Sequence, residues 1–228
     1  MATAGLVGEL TVAKGPGMPQ GVDESTESRR LPDWFVTVAE DVLQCCRPEA
    51  GIWVDLGCGS GGLGLALWRM SGSTIVLIDP NGSALNAGLE KARDSGLGGR
   101  VVAIVARAES IPLPDGCVDL VVSRGSIFFW SDPPQGLREV CRILRPGARA
   151  MVGGAEGSGY PEWARREFIR RRREAVVTQG AKSLREFERV RSPERFRQLA
   201  EEAGLTGARV VPDPPGCWLV FGEGGCGD

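Results

Sequence analysis

Glycines crowd one short stretch of the sequence, VDLGCGSGGLGLAL at residues 54–67. This stretch joins an apolar segment of strand character to one of helix character, and Gly57, Gly59 and Gly61 lie in its middle. Glycine permits a positive φ and lets a ligand approach the main chain closely. Gly57, Gly59 and Gly62 also satisfy the G-x-G-x-x-G pattern of dinucleotide sites. The stretch alone therefore predicts a nucleoside-containing ligand without choosing its class.

Two carboxylates narrow the choice of ligand. Asp55 stands two residues before the first glycine, where it would repel a pyrophosphate and attract an ammonium group. Asp79 ends the next apolar segment, about 20 residues beyond the loop, where a carboxylate accepts hydrogen bonds from both hydroxyls of a ribose. Together they predict a ligand with an unphosphorylated ribose at one end and an amino-acid-like cation at the other.

Histidine is missing from the sequence, and its seven cysteines form no C-x-x-C pair. The missing histidine excludes Ser-His and Cys-His catalysis. The cysteine pattern fits neither a zinc ribbon nor a disulfide framework, so we predict no metal site. A proton acceptor in this chain must be a carboxylate, tyrosine, thiolate, lysine or water.

The composition is typical of a globular protein with one main domain: 228 residues, 42% hydrophobic and 25% charged. A net charge of -2 argues against nucleic acid as a partner. No apolar run reaches the roughly 20 residues of a membrane span, and the N-terminus lacks the basic and apolar regions of a signal peptide. We therefore expect a cytoplasmic protein, with residues 1–30 as a flexible arm.

After residue 31, short β-branched segments alternate with helical ones. Their apolar runs are continuous, as in parallel strands covered on both faces. We predict an α/β domain over residues 31–228, with a Rossmann-like doubly wound sheet of seven strands, mostly parallel with a C-terminal antiparallel hairpin. The segment PPQGLREVCRILRPG predicts a helix with Arg142 and Arg145 in its last turn. An arginine-rich stretch at about 157–190 predicts a helical lid inserted before the hairpin.

Four ordered blocks within residues 33–153 carry a resemblance to a known family: WVDLGCGSGGLGLAL, IDPNGSAL, ESIPLPDGCVDLVVS and LREVCRILRPGARAMV. They resemble the class I S-adenosylmethionine-dependent methyltransferases. The resemblance implies S-adenosylmethionine as cofactor and S-adenosylhomocysteine as product. It implies that Asp55, Gly57 and Gly59 hold the methionine part. It also implies that Asp79 holds the ribose and that Pro80 and Asn81 flank the adenine. The full set of predicted cofactor contacts is Asp55, Gly57, Cys58, Gly59, Gly61, Asp79, Pro80, Arg107, Ala108, Glu109 and Ser123.

One position departs from the family pattern. The family usually has an acidic residue shortly after the third strand, against the adenine amino group, and Arg107 stands there in ARAESIPLP. Arginine has only donors and cannot accept that hydrogen bond. Three alternatives stay open: Ala108 and its backbone hold the ring, Glu109 substitutes for the missing acid, or Arg107 reaches towards an anionic substrate.

The family places acceptor contacts after its fourth and fifth strands, here SRGSIFFWSDPP and GGAEGSGYPEW. Methyl transfer from a sulfonium is an in-line displacement, which needs alignment, desolvation and loss of the nucleophile's proton. We predict Arg124, Ser126, Phe128 and Trp130 as acceptor contacts. The candidates for proton acceptor are Tyr160, Asp132 and Glu156.

The sequence therefore predicts an S-adenosylmethionine-dependent methyltransferase acting on a small molecule, with an anionic acceptor as one option. An alternative is a non-catalytic S-adenosylmethionine-binding scaffold or partner subunit. A third reading, an NAD(P)-dependent oxidoreductase, is disfavoured by Asp55 and by the later blocks. The sequence leaves the acceptor atom and the oligomeric state open.

Overall fold

The structure is a computed structural model that describes residues 31–97, 99–177, 186, 188–214 and 216–222. The predicted arm at residues 1–30 lies outside the described residues. The same holds for residues 178–185 and 187 of the predicted lid.

Seven strands form one sheet in the order β3-β2-β1-β4-β5-β7-β6. They are β1 (Ile52–Leu56), β2 (Thr74–Asp79), β3 (Val101–Val105), β4 (Val118–Arg124), β5 (Leu144–Gly153), β6 (Arg209–Asp213) and β7 (Gly216–Phe221). The first five pair in parallel, and β7 pairs antiparallel with both β5 and β6. This confirms the predicted mostly parallel sheet with a C-terminal antiparallel hairpin.

Helices cover both faces of the sheet. They are α1 (Trp34–Cys46), α2 (Gly62–Ser71), α3 (Gly82–Asp94), α4 (Pro133–Ile143), α5 (Glu162–Val177) and α6 (Pro193–Glu202), with a 3₁₀ turn at Ile127–Phe129. Side chains of α1, α2 and α3 form one apolar cluster with alternate residues of the strands, and α4 and α6 form the other. Because successive side chains of a strand point to opposite faces, continuous apolar strands serve both clusters.

Polar caps fix where several helices begin. The Asp33 carboxylate accepts a hydrogen bond from the N–H of Phe35 at the start of α1. Asp132 accepts one from Gln135 at α4, and Ser192 one from Arg195 at α6. Such caps satisfy N–H groups that have no partner within the helix.

The end of α4 differs from the prediction. The helix stops at Ile143, and Leu144 already pairs with Val118 as the first residue of β5. Arg145 therefore lies in a strand and not in the last helical turn, whereas Arg142 does lie in that turn. The helical spacing did not reveal this boundary because the strand pairing is a contact distant in sequence.

The topology opens a crevice above the carboxyl ends of β1 and β4. Strand β1 lies between β2 and β4, so the chain winds outward from it in both directions, and ligands of such sheets bind at this switch in strand order. Within the described ranges, every helix is too short or too polar to cross a bilayer.

Candidate active site

The loop after β1 is held in one conformation by the neighbouring strand. The N–H groups of Gly57 and Cys58 donate to the carbonyl of Ile78 at 2.7 and 3.1 Å. Gly57 and Gly59 have φ values of +65° and +55°, a region that disfavours other residues. A Cβ at Gly57 would collide with the Ser126 side chain, while a Cβ at Gly59 would enter open space. The loop therefore presents bare backbone to the crevice at Gly59.

Asp79 lies at the end of β2 with its carboxylate fixed from both sides. Gly59 donates its N–H to Oδ2 at 2.8 Å, and Asn81 donates its N–H to Oδ1 at 2.8 Å. Each oxygen keeps acceptor capacity because a carboxylate offers about four lone-pair sites. The two oxygens can thus accept hydrogen bonds from adjacent hydroxyl groups on a ligand.

A cavity of about 440 Å³, here called the proximal cavity, extends from this loop across the ends of the strands. Eleven of the predicted contacts line it: Gly57, Gly59, Asp79, Pro80, Arg107, Ala108, Glu109, Arg124, Ser126, Phe128 and Trp130. Others that line it were not predicted, among them Gly125, Phe129, Gly154, Arg172 and Arg191. Phe129 is 84% exposed and forms part of the rim.

Asp55 lies behind the glycine loop. Its side chain is buried, and its Oδ2 accepts the N–H of Gly64 at 2.8 Å. Burial raises the pKa of Asp55 to about 7; the hydrogen bond from Gly64 lowers it, and the nearby charge of Asp79 raises it. The described wall of the proximal cavity does not include Asp55. In the structure Asp55 braces β1 against α2, and its contact with a ligand ammonium group stays a prediction.

Cys58, Gly61 and Ser123 also lie outside the described lining of the cavity. Burial raises the pKa of the Cys58 thiol, and Asp55 and Asp79 add to this effect. Gly61, at φ +73°, is the N-cap of α2, and Ser123 is fully buried. These three residues shape the loop and the strand end, and their contact with the cofactor stays a prediction.

The segment after β3 forms the wall next to Asp79, because Val105 at the end of β3 pairs with Asp79. Arg107 is exposed, and Ala108 is buried beside it. Glu109 Oε1 accepts hydrogen bonds from the Ser131 N–H at 2.6 Å, the Ser131 hydroxyl at 2.8 Å and the Asp132 N–H at 3.1 Å. Partial burial raises the pKa of Glu109, but these hydrogen bonds outweigh it and hold the pKa below its ordinary value. Glu109 thus joins this wall to the start of α4 as an ionised carboxylate.

Ser126 ties the ends of β1 and β4 together. Its hydroxyl lies 2.5 Å from that of Ser123, donates to the carbonyl of Leu56 at 3.1 Å and accepts from the indole N–H of Trp130 at 3.0 Å. The Trp130 ring is thereby oriented along the cavity wall. Ser126 is thus both a wall residue and a structural joint.

Three arginines come together at the far end of the proximal cavity. Arg124 leaves the end of β4, Arg172 comes from α5, and Arg191 immediately precedes the N-cap of α6. Burial lowers the pKa of Arg124, partly offset by Glu156. Burial also lowers the pKa of Arg191 to about 10, with repulsion from Arg172 and Arg124 adding to the effect. The three positive charges are close enough to repel one another, and an anion between them would relieve that repulsion.

The predicted proton acceptors have other partners. Asp132 caps α4. The Tyr160 hydroxyl donates to the carbonyl of Pro32 at 3.1 Å, and burial together with Glu156 raises its pKa. Glu156 is buried, with Oε1 3.5 Å from Arg124 and Oε2 3.7 Å from Arg165. The described wall of the proximal cavity includes none of these three residues.

The arginine-rich part of the predicted lid is a helix, α5, whose surface charges pair along the helix. Arg170 and Arg171 contact Glu167 at 2.7 and 2.6 Å, Arg170 also contacts Glu174 at 2.7 Å, and Arg166 lies 3.7 Å from Glu162. Arg172 lines the proximal cavity instead. The sequence showed the excess of arginine but could not show which arginine faces inward.

Comparison with known proteins agrees with this geometry. Residues 54–152 match a family model described as a methyltransferase domain. Over residues 54–152 the chain is therefore similar to a methyltransferase domain, and its seven-stranded sheet is the one that the resemblance to class I S-adenosylmethionine-dependent methyltransferases implies. S-adenosylmethionine is the cofactor of this family, as the sequence resemblance implied.

Individual relatives show how far the similarity extends. The ubiquinone/menaquinone biosynthesis C-methyltransferase UbiE of Vibrio vulnificus is 38% identical over 101 residues, which is 43% of this chain and 39% of that protein. The chain thus matches well under half the length of this relative. A Methanococcus maripaludis protein, provisionally assigned as an S-adenosyl-L-methionine-dependent methyltransferase, is 28% identical, with a TM-score of 0.70 over 83% of this chain and 85% of the other.

An Aquifex aeolicus structure described as a SAM-dependent methyltransferase shares the fold at 23% identity, with a TM-score of 0.59 over 82% of this chain and 89% of the other. The family match ends at residue 152, before α5 and α6. The match therefore includes Gly59 and Asp79 of the cavity wall, while Arg172 and Arg191 lie outside the matched residues.

Proposed function

We propose that this chain transfers a methyl group from S-adenosylmethionine to a small molecule that carries an anionic group. The observation that carries the proposal is the proximal cavity, which has a fixed carboxylate, Asp79, at one end and three arginines at the other. The first end suits a ribose, and the second suits an anion. A cavity of about 440 Å³ is within the usual size for small-molecule sites.

The residues at the loop end fit the cofactor. Asp79 has two fixed oxygens for the ribose hydroxyls, and the open space at Gly59 lets a ligand lie against the backbone. Pro80 and Ala108 provide apolar surface on the same wall for a flat base. The bound cofactor would supply an activated methyl group, and these residues would place it.

The arginines would fix the other substrate. Charge-assisted hydrogen bonds from guanidinium groups to carboxylate or phosphate are directional and often bidentate. Phe128 and Trp130 line the cavity between the two ends and would limit access of water. These side chains would thus align an acceptor atom with the methyl group for in-line displacement.

The carboxylates of the proximal cavity also determine whether a side chain can accept the proton that the nucleophile loses. The carboxylates that line the described cavity are Asp79 and Glu109, and both are held by backbone N–H groups. We infer that the acceptor atom reacts without giving a proton to a side chain of this wall. A nucleophile that is already deprotonated in water, such as a carboxylate or an acidic enol, meets this condition.

Cofactor binding is the first experiment. Calorimetric titration with S-adenosylmethionine, S-adenosylhomocysteine and NAD is expected to show binding of the first two and none of NAD. Asp79→Asn should weaken S-adenosylhomocysteine binding at least about tenfold, since it removes charge-assisted bonds to the ribose. Asp94→Asn, at the exposed end of α3, is the control and should leave binding unchanged.

A non-catalytic, S-adenosylmethionine-binding scaffold is the second candidate. Three candidate proton acceptors, Tyr160, Asp132 and Glu156, favour it. Each contacts other protein groups, and none lines the described wall of the proximal cavity. Incubation with S-adenosylmethionine labelled in the methyl group and a panel of small carboxylates, phosphates and enols distinguishes the two. Labelled product supports the enzyme, whereas cofactor binding without transfer to any member of the panel favours the scaffold.

A further inference from the structure

A second cavity, here called the distal cavity, adjoins the proximal one. Its volume is about 350 Å³, and it shares Gly154, Arg172 and Arg191 with the proximal cavity. The two cavities therefore meet at the arginines. Nothing in the matched methyltransferase domain accounts for this space, because most of its wall lies beyond residue 152.

The wall of the distal cavity is mainly apolar. Its apolar side chains come from α5, from the start of α6 and from the turn of the hairpin: Phe168, Ile169, Pro193, Pro212 and Pro214. An apolar wall of this kind gains free energy when it covers hydrocarbon and excludes water. A ligand that fills it must carry an apolar body.

Two of the charged side chains of the distal cavity, Arg172 and Arg191, lie at its junction with the proximal one. Arg173 and Glu188, 4.0 Å apart, line the distal cavity and not the described wall of the proximal one. Arg172 lies over the Phe168 ring at 5.4 Å, and Arg191 lies over the Phe128 ring at 3.9 Å. Each aromatic ring holds a guanidinium group at the boundary between the cavities. An anionic group at this boundary would contact both arginines while its apolar part extends past Phe168.

Glu156 adds a polar feature to the distal wall. It lines this cavity, is 2% exposed, and its Oε2 has no hydrogen-bond partner among the described residues. Burial raises its pKa, and the charges of Arg124 and Arg165 oppose that shift. A buried oxygen without a hydrogen bond is costly and suits a hydroxyl or N–H donor on a ligand.

We propose that the distal cavity binds the apolar body of an amphiphilic acceptor whose single anionic group, a phosphate or a carboxylate, lies between Arg172 and Arg191. This inference deepens the proposed function and rests on it, because the bound molecule is a methyl acceptor only if the chain is a methyltransferase. It narrows the substrate class from small anions to anions with an apolar chain or ring system. The two parts belong in one molecule because the apolar surface of the distal cavity begins at the arginines that it shares with the proximal cavity.

Binding of simple probes tests this directly. The full chain is titrated with octyl phosphate and octanoate at concentrations at which both are monomeric, with inorganic phosphate as the probe that lacks a chain and octyl glucoside as the probe that lacks charge. Octyl phosphate, octanoate or both should bind at least about tenfold more tightly than either control, because only they use both features. Binding of both charged chains no tighter than that of inorganic phosphate overturns the proposal.

Paired variants locate the probe. Ile169→Asn should weaken binding of the tighter charged probe at least about fivefold by placing an amide in the apolar wall. Val177→Asn makes the same kind of change on the exposed end of α5 and should have no effect. Arg191→Gln should weaken binding about tenfold, and Arg166→Gln, on the exposed face of α5, should not. Equal effects within either pair overturn the proposal, and melting temperatures check that each variant is folded.

The same preparation separates this inference from the proposed function. A protein that binds S-adenosylhomocysteine but neither charged chain overturns the distal site and leaves the methyltransferase proposal standing. A protein that binds a charged chain but not S-adenosylhomocysteine overturns the methyltransferase proposal and leaves the distal site standing.

Discussion

At the scale of single residues, the two aspartates of the predicted site have opposite environments. Asp79 stands at the cavity with both oxygens bonded to backbone N–H groups, whereas Asp55 is buried behind the loop with one such bond. Sequence spacing placed both at strand ends but could not tell which way each side chain points. A strand alternates its side chains, and the neighbours Asp55 and Leu56 face opposite sides.

The burial of Asp55 gives stability a definite pH dependence. Its folded-state pKa of about 7 lies above its ordinary value of 3.8. Between pH 3.8 and about pH 7, Asp55 therefore stays protonated in the folded protein but is ionised in the unfolded chain. The free energy of unfolding falls as the pH rises through this range. Asp55→Asn should remove this cost, which makes the variant more stable than wild type at pH 8, by about 4 kcal/mol, and similar to it at pH 4.

Urea denaturation at a series of pH values measures this difference. Asp94→Asn, at an exposed helix end, should follow the wild type at every pH. If Asp55→Asn is less stable than wild type at pH 8, the ionised carboxylate is stabilised in the folded protein. The claim that its burial costs stability is then wrong. S-adenosylhomocysteine should bind the variant with an affinity within about threefold of wild type, since the cavity wall does not include this side chain.

At the scale of elements, the strand-to-helix loop after β1 was the part most readily predicted. Glycine is the residue that this backbone requires, so the sequence itself records the positive φ values at positions 57, 59 and 61. The arginine-rich helix was different, because its sequence is basic on several faces. Which face turns inward depends on packing against Trp34, whose ring lies 5.4 Å from that of Phe168. That packing joins segments far apart in the sequence.

The loop allows a comparison between two glycines of similar backbone conformation. Gly59→Ala should cost about 1 kcal/mol from its positive φ alone, because its Cβ meets open space. Gly57→Ala should cost at least about 3 kcal/mol, because the methyl group also collides with Ser126 and disturbs its bonds to Leu56 and Trp130. Equal losses of unfolding free energy would contradict the assigned contact. Gly59→Ala should still weaken S-adenosylhomocysteine binding, since its methyl group enters ligand space.

At the scale of the whole molecule, the two ends of the site differ in how far the sequence reveals them. The cofactor end comes from residues within the matched domain, 54–152, where the order of motifs predicts the contacts. The end that we propose for the acceptor extends beyond the match: Arg124 ends β4 within it, whereas Arg172 comes from α5 and Arg191 immediately precedes α6. The sequence left an anionic acceptor as one option, and only the fold brings the three arginines together.

A buried ion network fixes α5, and with it the acceptor end, to the sheet. Arg165 of α5 lies 3.0 Å from Asp213 Oδ1 at the end of β6 and 3.7 Å from Glu156 Oε2, and it donates to the Gly157 carbonyl at 2.6 Å. Its side chain is only 12% exposed. Asp213 also accepts hydrogen bonds from Gly157 N–H at 3.0 Å and from the Trp218 indole at 3.3 Å. One guanidinium group thus holds together a helix, a loop and the hairpin.

Removal of that group should unfold the molecule more readily at high pH. Arg165→Met leaves two buried carboxylates without their shared cation and should cost about 3–5 kcal/mol near neutral pH. Because burial already raises the pKa of Glu156 and the variant removes one of its two cations, protonation of Glu156 relieves the repulsion, and the loss should shrink as the pH falls towards 4. Arg166→Met removes an exposed charge from the same helix and should cost less than about 0.5 kcal/mol at any pH. A loss that is independent of pH would mean that Arg165 acts through packing alone, and the network would not be what positions the acceptor end.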